Sequence, residues 1–185
     1  MRKQIIFIVF LAFSFITAQQ VQAQQGELKI NPGLELGLPI GDFSDATDLG
    51  FGATVKGLYG VSDDGQVELT LGYLHFPGKD LEGFKINYNI IPIMAGYRHF
   101  FDNFYGEAQL GFAIAKTKTK SDFEFDFPGV DVNMSASDSS TEFSWAIGAG
   151  YMFDEFDISL RYQSIATSGS SLDWIGLRVG YSFDI

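Results

Sequence analysis

Cysteine is absent from the 185-residue chain. Disulfides are therefore excluded, and so is the acylated N-terminal cysteine that anchors bacterial lipoproteins. Charge is scarce too: charged residues make up 19% of the sequence, against roughly 25% in soluble globular domains. That is too little to cover an ordinary water-facing surface. Cations are scarcer still, with 12 Lys and Arg against 23 Asp and Glu, a formal net charge of −11 that becomes −13 once Arg2 and Lys3 leave with an N-terminal leader. No basic patch of the kind nucleic acid requires survives this balance. Histidine occurs twice, at His75 and His99.

Arg2 and Lys3 precede an apolar run from Ile5 to Phe15, followed by small-residue cleavage sites ending at Ala23 or Ala18. This order predicts a secretory signal peptide over residues 1–23, the apolar run being shorter than the roughly 20 residues that cross a bilayer as a helix. Residues 24–185 are then of a size for one folded domain.

From Leu28 onward apolar residues recur at every second position, the period of a strand with two different faces, and helical periodicity is absent. Eight such segments are legible. The first sets Leu28, Ile30, Leu34, Leu36 and Leu38 against Lys29, Asn31, Gly33, Glu35 and Gly37. Phe51 to Tyr59, Val67 to Tyr73 and Ile91 to Tyr97 continue the pattern, as do Phe104 to Ile114, Phe143 to Phe153, Phe156 to Tyr162 and Ile175 to Phe183. Short turns are expected at Asp63 to Gly65, Asp102 to Asn103 and Asp154 to Glu155, with longer links between them. A three-residue loop with Gly65 at positive φ would set Val61 opposite Val67; a two-residue turn at Asp102 would set Tyr97 beside Ala108 and Arg98 beside Glu107.

No position on the apolar faces carries a charge. Glu35, Lys56, Glu68, Arg98, Glu107, Glu142, Asp157, Arg161 and Arg178 all fall on the other face, among Gly, Ser, Ala and Gln. A Lys or Arg facing the bilayer midplane costs about 2–4 kcal/mol, so this partition is what lipid enforces. A soluble ligand-binding barrel would invert it. The expectation is an all-β, eight-stranded antiparallel up-and-down transmembrane β-barrel in the outer membrane, its first and last strands paired so that no edge is left open in hydrocarbon. Phe51, Tyr73, Trp145, Tyr162 and Trp174 are expected to form an interfacial girdle at the long-loop end. Tyr59, Phe101, Phe104, Phe153, Phe156 and Phe183 would form one at the short-turn end.

The chain resembles the small outer-membrane β-barrel domain family typical of Bacteroidota, related in architecture to OmpX and the OmpA transmembrane domain. The resemblance rests on Pro39-Ile40-Gly41-Asp42-Phe43, Ile91-Pro92-Ile93 with Gly96-Tyr97-Arg98, and Gly106-Glu107-Ala108 with Leu110-Gly111. It implies insertion by the barrel-assembly machinery, which reads a terminal strand with alternating apolar residues. Tyr181 and Phe183 fit that signal, although the chain ends in Ile185.

Candidate chemistry is sparse. His75 and His99 are expected at opposite rims of an apolar band about 25 Å tall, which rules out one site sharing both. No Ser, His and carboxylate motif is recognisable, so no catalytic, cofactor-binding or metal-binding residue is assigned. Gly50, Gly52 and Lys56 lie inside a strand and make no nucleotide loop. The inward charges are expected to form a network, with Arg178 at the height of Glu35 and Arg161 near it, acting as a plug in a lumen just wide enough for side chains. A second constellation lies in the link from about Lys116 to Ser140. There Lys116, Lys118 and Lys120, then Phe123, Phe125 and Phe127 between acids, predict an extracellular hairpin turned by Pro128-Gly129.

The expected partners are outer-membrane lipid and lipopolysaccharide, and a surface partner reached through residues 116–140. A monomer is expected. Two other functions remain open on the sequence: a narrow channel or path for small hydrophobic molecules, and an enzyme acting on lipid A.

Overall fold

The structure is a computed structural model, and it describes residues 25–81, 84–121 and 135–185. The expected signal peptide lies outside the described residues, as do Phe123, Phe125, Phe127 and the Pro128-Gly129 turn.

The described chain is almost entirely strand. The elements are β1 (Leu28–Ile40), a one-turn helix α1 (Asp42–Ala46), β2 (Gly50–Ser62), β3 (Gly65–Phe76), β4 (Phe84–Phe101), β5 (Phe104–Ser121), β6 (Ser135–Phe153), β7 (Phe156–Thr167) and β8 (Ser170–Tyr181). Each strand pairs antiparallel with its sequence neighbour, and β1 closes on β8 from Gly33↔Gly180 to Ile40↔Asp173. Asp80–Leu81 adds a short pairing to β4, and Phe183–Asp184 adds one to β1. The result is a closed eight-stranded antiparallel barrel, which satisfies the backbone without an exposed edge.

Burial alternates as the sequence pattern requires. Leu34, Leu71, Ile93, Leu110, Leu160 and Leu177 are exposed, whereas Lys56, Arg98, Glu107 and Arg178 are buried inside the wall. An apolar belt this continuous is far larger than the patches soluble monomers carry. Its solvent is hydrocarbon.

Turn chemistry differs from expectation at one hairpin. The pairing Tyr59↔Val67 replaces Val61↔Val67, because an irregularity between Gly60 and Ser62 adds a residue to β2 and leaves a two-residue turn at Asp63-Asp64. Gly65 does not take positive φ. A side chain there would instead run into the Tyr97 hydroxyl and stand 2.6 Å from Ser62 Oγ. The other two turns follow the sequence reading, with Asp102 and Asp154 at positive φ, Tyr97↔Ala108 and Arg98↔Glu107 paired, and Phe153 beside Phe156.

The opposite end departs in two ways. The β7–β8 link is as tight as the short turns, closed through Gly169 at φ 95°. The link at Lys116 is shorter than the sequence suggested, because β5 runs on to Ser121 and β6 starts at Ser135, paired up to Lys120↔Ser135. Consequently β4, β5 and β6 have 18, 18 and 19 residues against 12 or 13 in the other barrel strands. Six extra residues correspond to about 20 Å of strand, so these three project as a sheet beyond the rest of the wall.

Candidate functional site

The interior is filled in three layers. In the middle, Lys56 Nζ lies 2.6 Å from Glu107 Oε2 and 3.4 Å from Glu68 Oε2. Arg98 Nη2 reaches the same two carboxylates at 3.1 and 3.6 Å, and Asp157 Oδ2 at 3.2 Å. Tyr105 donates its hydroxyl to Asp157 Oδ1 at 2.5 Å, and its ring lies 3.8 Å from the Arg98 guanidinium carbon. Gln109 Nε2 donates to Glu68 Oε1 at 2.8 Å. Arg178 Nη1 lies 3.5 Å from Asp157, while its Nε donates to Thr54 Oγ1 at 2.6 Å and its Nη2 to the Asn31 carbonyl at 2.7 Å.

Glu35 and Arg178 are ladder neighbours, as the sequence suggested. Their charged ends nevertheless part company: Glu35 is held by Arg161, whose Nη2 donates to both carboxylate oxygens at 2.9 and 2.8 Å and whose Nε donates at 3.1 Å. Small residues make room for these groups. A Cβ on Gly176 would stand 2.5 Å from Glu35 Oε1, and one on Gly33 would stand 2.7 Å from the Arg178 guanidinium.

Eight of the nine predicted inward charges meet in this layer, as four cations (Lys56, Arg98, Arg161, Arg178) and four carboxylates (Glu35, Glu68, Glu107, Asp157), all buried. Their formal charges cancel. That is how low-dielectric surroundings accommodate ions, each unpaired buried charge being costly. A selectivity filter instead lines water with charges of one sign. Glu142 stands apart: it lies on the inward face of β6 but is half-buried towards the outer end.

The outer layer is apolar, which sequence reasoning missed. Phe43, Leu74, Phe76, Ile90, Ala113, Ile165 and Trp174 pack together inside the mouth. The Pro39-to-Phe43 segment explains how: Gly41 turns at φ 59°, and α1 then lays Phe43 over the lumen, 5.1 Å from the Phe76 ring and 5.4 Å from Tyr88. Backbone bonds Asp48 N to Pro77 O at 2.8 Å and Lys79 N to Ala46 O at 2.9 Å hold the segment down. Trp174 is fully buried here and so does not belong to the outer girdle. Its even-numbered position in β8 puts it on the face opposite Ile175 and Leu177. Phe51, Tyr73, Trp145 and Tyr162 do lie on the outer face at that end, and Tyr59, Phe101, Phe104, Phe153, Phe156 and Phe183 at the other. At the short-turn end Phe100, Tyr105 and Met152 close the lumen from below.

The two histidines sit on the outer surface at opposite ends. His75 Nδ1 donates to Asn89 Oδ1 at 2.8 Å, an oxygen that also accepts the Tyr73 hydroxyl at 2.7 Å. His99 packs against Tyr97 and Phe101. Among the described residues no group of His, Cys, Asp and Glu is placed to hold a metal ion.

Comparison with known proteins agrees with this architecture. The attachment invasion locus protein Ail of Yersinia pestis superposes with a TM-score of 0.63 at 19% identity, over 86% of this chain and all of that one. The N-terminal β-barrel domain of Pseudomonas aeruginosa OprF gives 0.52 at 16% identity, over 86% and 98%. Neisserial surface protein A gives 0.51 at 11% identity, over 85% and 97%. At these identities the likeness is one of fold. A search of curated proteins finds no match. The outer membrane protein beta-barrel domain model matches residues 8–183, and the chain therefore belongs to that outer-membrane family.

Proposed function

We propose that the protein is a non-enzymatic integral barrel of the outer membrane, sealed to solutes, whose working part is the sheet that β4, β5 and β6 carry outward. The supporting observation is the pairing of a filled lumen with unequal strands. Three strands run about six residues past their neighbours, while the bore beneath them is occupied by a charge-neutral network between two apolar caps. A conducting barrel needs a continuous polar path, and Phe43 with its neighbours interrupts one. An enzyme acting on lipid needs a nucleophile beside its base, but the hydrogen-bonding partners of the outward His75 ring and its Asn89 are Asn89 and Tyr73.

Two measurements on the mature protein test the reading. In planar bilayers and in liposomes carrying small sugars, flux should equal that of protein-free membranes. The acyl pattern of lipid A, read by mass spectrometry, should not change on expression. Unitary conductance steps or a lost acyl chain would contradict it. Deleting residues 117–138 should abolish binding at the cell surface while leaving the barrel folded.

A further inference from the structure

We propose that an outer-leaflet lipid rests one acyl chain in a groove on the outward surface of β1, β2 and β3, with Ala53 as its floor. The site requires only the lipid-facing band and goes beyond the role given to the projecting sheet.

Register builds the hollow. Outward residues form rows across the strands: Val179, Leu34, Ala53 and Tyr73 in one, then Leu177, Leu36, Phe51 and His75 in the next towards the outer end. Ala53 contributes a single methyl, whereas Leu34 beside it is 71% exposed, and Phe51 and Tyr73 are half-exposed. The wall is therefore low at Ala53 and high around it. The groove so formed has a volume of about 680 Å³, and Gly52 lines it beside Ala53. A second hollow of about 440 Å³ shares Leu34, Ala53 and Val179 with the first and continues past Pro32 and Val55 to Tyr181. Together they make one furrow along the wall.

One bank of this furrow is fixed in place. Asn89 is buried, and its Oδ1 accepts the Tyr73 hydroxyl at 2.7 Å and the His75 Nδ1 hydrogen at 2.8 Å. The His75 ring in turn meets Phe51 edge-on, with 5.5 Å between centroids. Tyr73 and Phe51 are thereby held upright as crests beside Ala53. Rigidity matters here, because moving a chain from lipid to protein gains no hydrophobic free energy and retention depends on packing contacts. A preformed furrow supplies those contacts on three sides without first having to order its own side chains.

The occupant follows from the surroundings. The furrow is continuous with the apolar band, whose solvent is hydrocarbon. The convex wall of a second barrel would rest on Leu34 and Tyr73 without reaching Ala53, whereas an acyl chain is narrow and flexible enough to lie between them. Its direction follows from the two ends. The Tyr73 hydroxyl, His75 and Asn89 gather polar atoms at the outer end, the level of a lipid's ester groups. Further in, the side chains of Pro32, Val55 and Val179 are apolar.

The test uses the full mature chain in phosphatidylcholine vesicles doped with phosphatidylcholine that carries a photoactivatable diazirine in one acyl chain. Adducts are mapped by mass spectrometry after digestion. A diazirine near the ester should label the surroundings of Tyr73 and His75, and one near the chain's methyl end those of Ala53 and Val55. Ala53→Leu fills the floor and should lower this labelling roughly tenfold, the worth of about ten lost carbon–carbon contacts. Ala108→Leu, an outward alanine on β5, should leave it unchanged. Heat-modifiable mobility should be that of wild type in both variants, since both side chains point away from the lumen. Adducts spread evenly round the band, labelling that survives Ala53→Leu, or the reverse order of the two diazirine positions would overturn the proposal. So would protein-to-protein adducts across Ala53, which would give the groove to a second copy of the chain.

Discussion

Glu35 on β1 and Arg161 on β7 are joined across the lumen by both carboxylate oxygens and two guanidinium nitrogens, although β8 lies between their strands and 126 residues separate them in sequence. Both side chains are fully buried. Removing one partner leaves the other charged with no counter-ion, a change that costs about 3–5 kcal/mol. Glu35→Gln should therefore lower stability by that amount in urea titrations in lipid vesicles. The double replacement Glu35→Leu with Arg161→Met should recover most of the loss, because a buried pair exchanged for apolar groups is often neutral.

Phe43 makes the mouth of the barrel depend on a helix of five residues. Its ring packs on Phe76 and Tyr88, and it is buried in a cluster that also holds Trp174. Phe43→Ala should cost about 3–5 kcal/mol, the usual range for truncating a buried aromatic. The same variant should redden the emission of Trp174 by admitting water, which fluorescence reads directly.

Gly50 sits where a Cβ would run into the Phe76 ring, and a Cβ on Gly37 would come within 2.7 Å of that ring from the neighbouring strand. Because Phe76 is fully buried, it has nowhere to yield. Gly50→Val should destabilise by about 1–3 kcal/mol through overpacking. Gly106, with nothing within 4 Å, should accept Ala with little change. Thermal shifts of mobility on gels compare the two.

Position along the apolar band should grade the cost of charge. Leu177 lies mid-strand on β8, whereas Val61 lies beside the Asp63-Asp64 turn, and both face outward. Leu177→Arg should cost about 2–4 kcal/mol and Val61→Arg about 0–1 kcal/mol when unfolding is measured in bilayers. Equal costs would show that the band is not what separates them.

Much of this molecule was legible in its residues because a period of two is a strong signal where each face meets a different medium. The strands, their faces and the hairpins turned by Asp102 and Asp154 followed from that alternation. Register failed at Val61 because an added residue in β2 leaves the pattern of faces intact while sliding the pairing. Trp174 was counted with the outer girdle for its proximity to the strand end, although its alternation with Ile175 and Leu177 already placed it inside.

The charge partners were less legible. Ladder position brings Glu35 beside Arg178, but long side chains in a narrow bore reach past their neighbours, so Arg161 takes the carboxylate and Arg178 turns to Thr54, Asn31 and Asp157. The apolar outer layer was not anticipated because Phe43 lies in a single helical turn, too short for any periodicity to register. Gly41 before it, at positive φ, was the available signal.

The sequence contains two tryptophans, Trp145 and Trp174, and they stand near the same end of the barrel on opposite sides of its wall. Quenching of single-tryptophan variants therefore tests the partition itself. With Trp174→Phe, the remaining Trp145 should be strongly quenched by brominated lipid. With Trp145→Phe, the remaining Trp174 should be quenched neither by brominated lipid nor by aqueous iodide, because the apolar layer excludes both. Lipid quenching of Trp174, or iodide reaching it in the intact barrel, would contradict a sealed lumen enclosed by a lipid-facing wall.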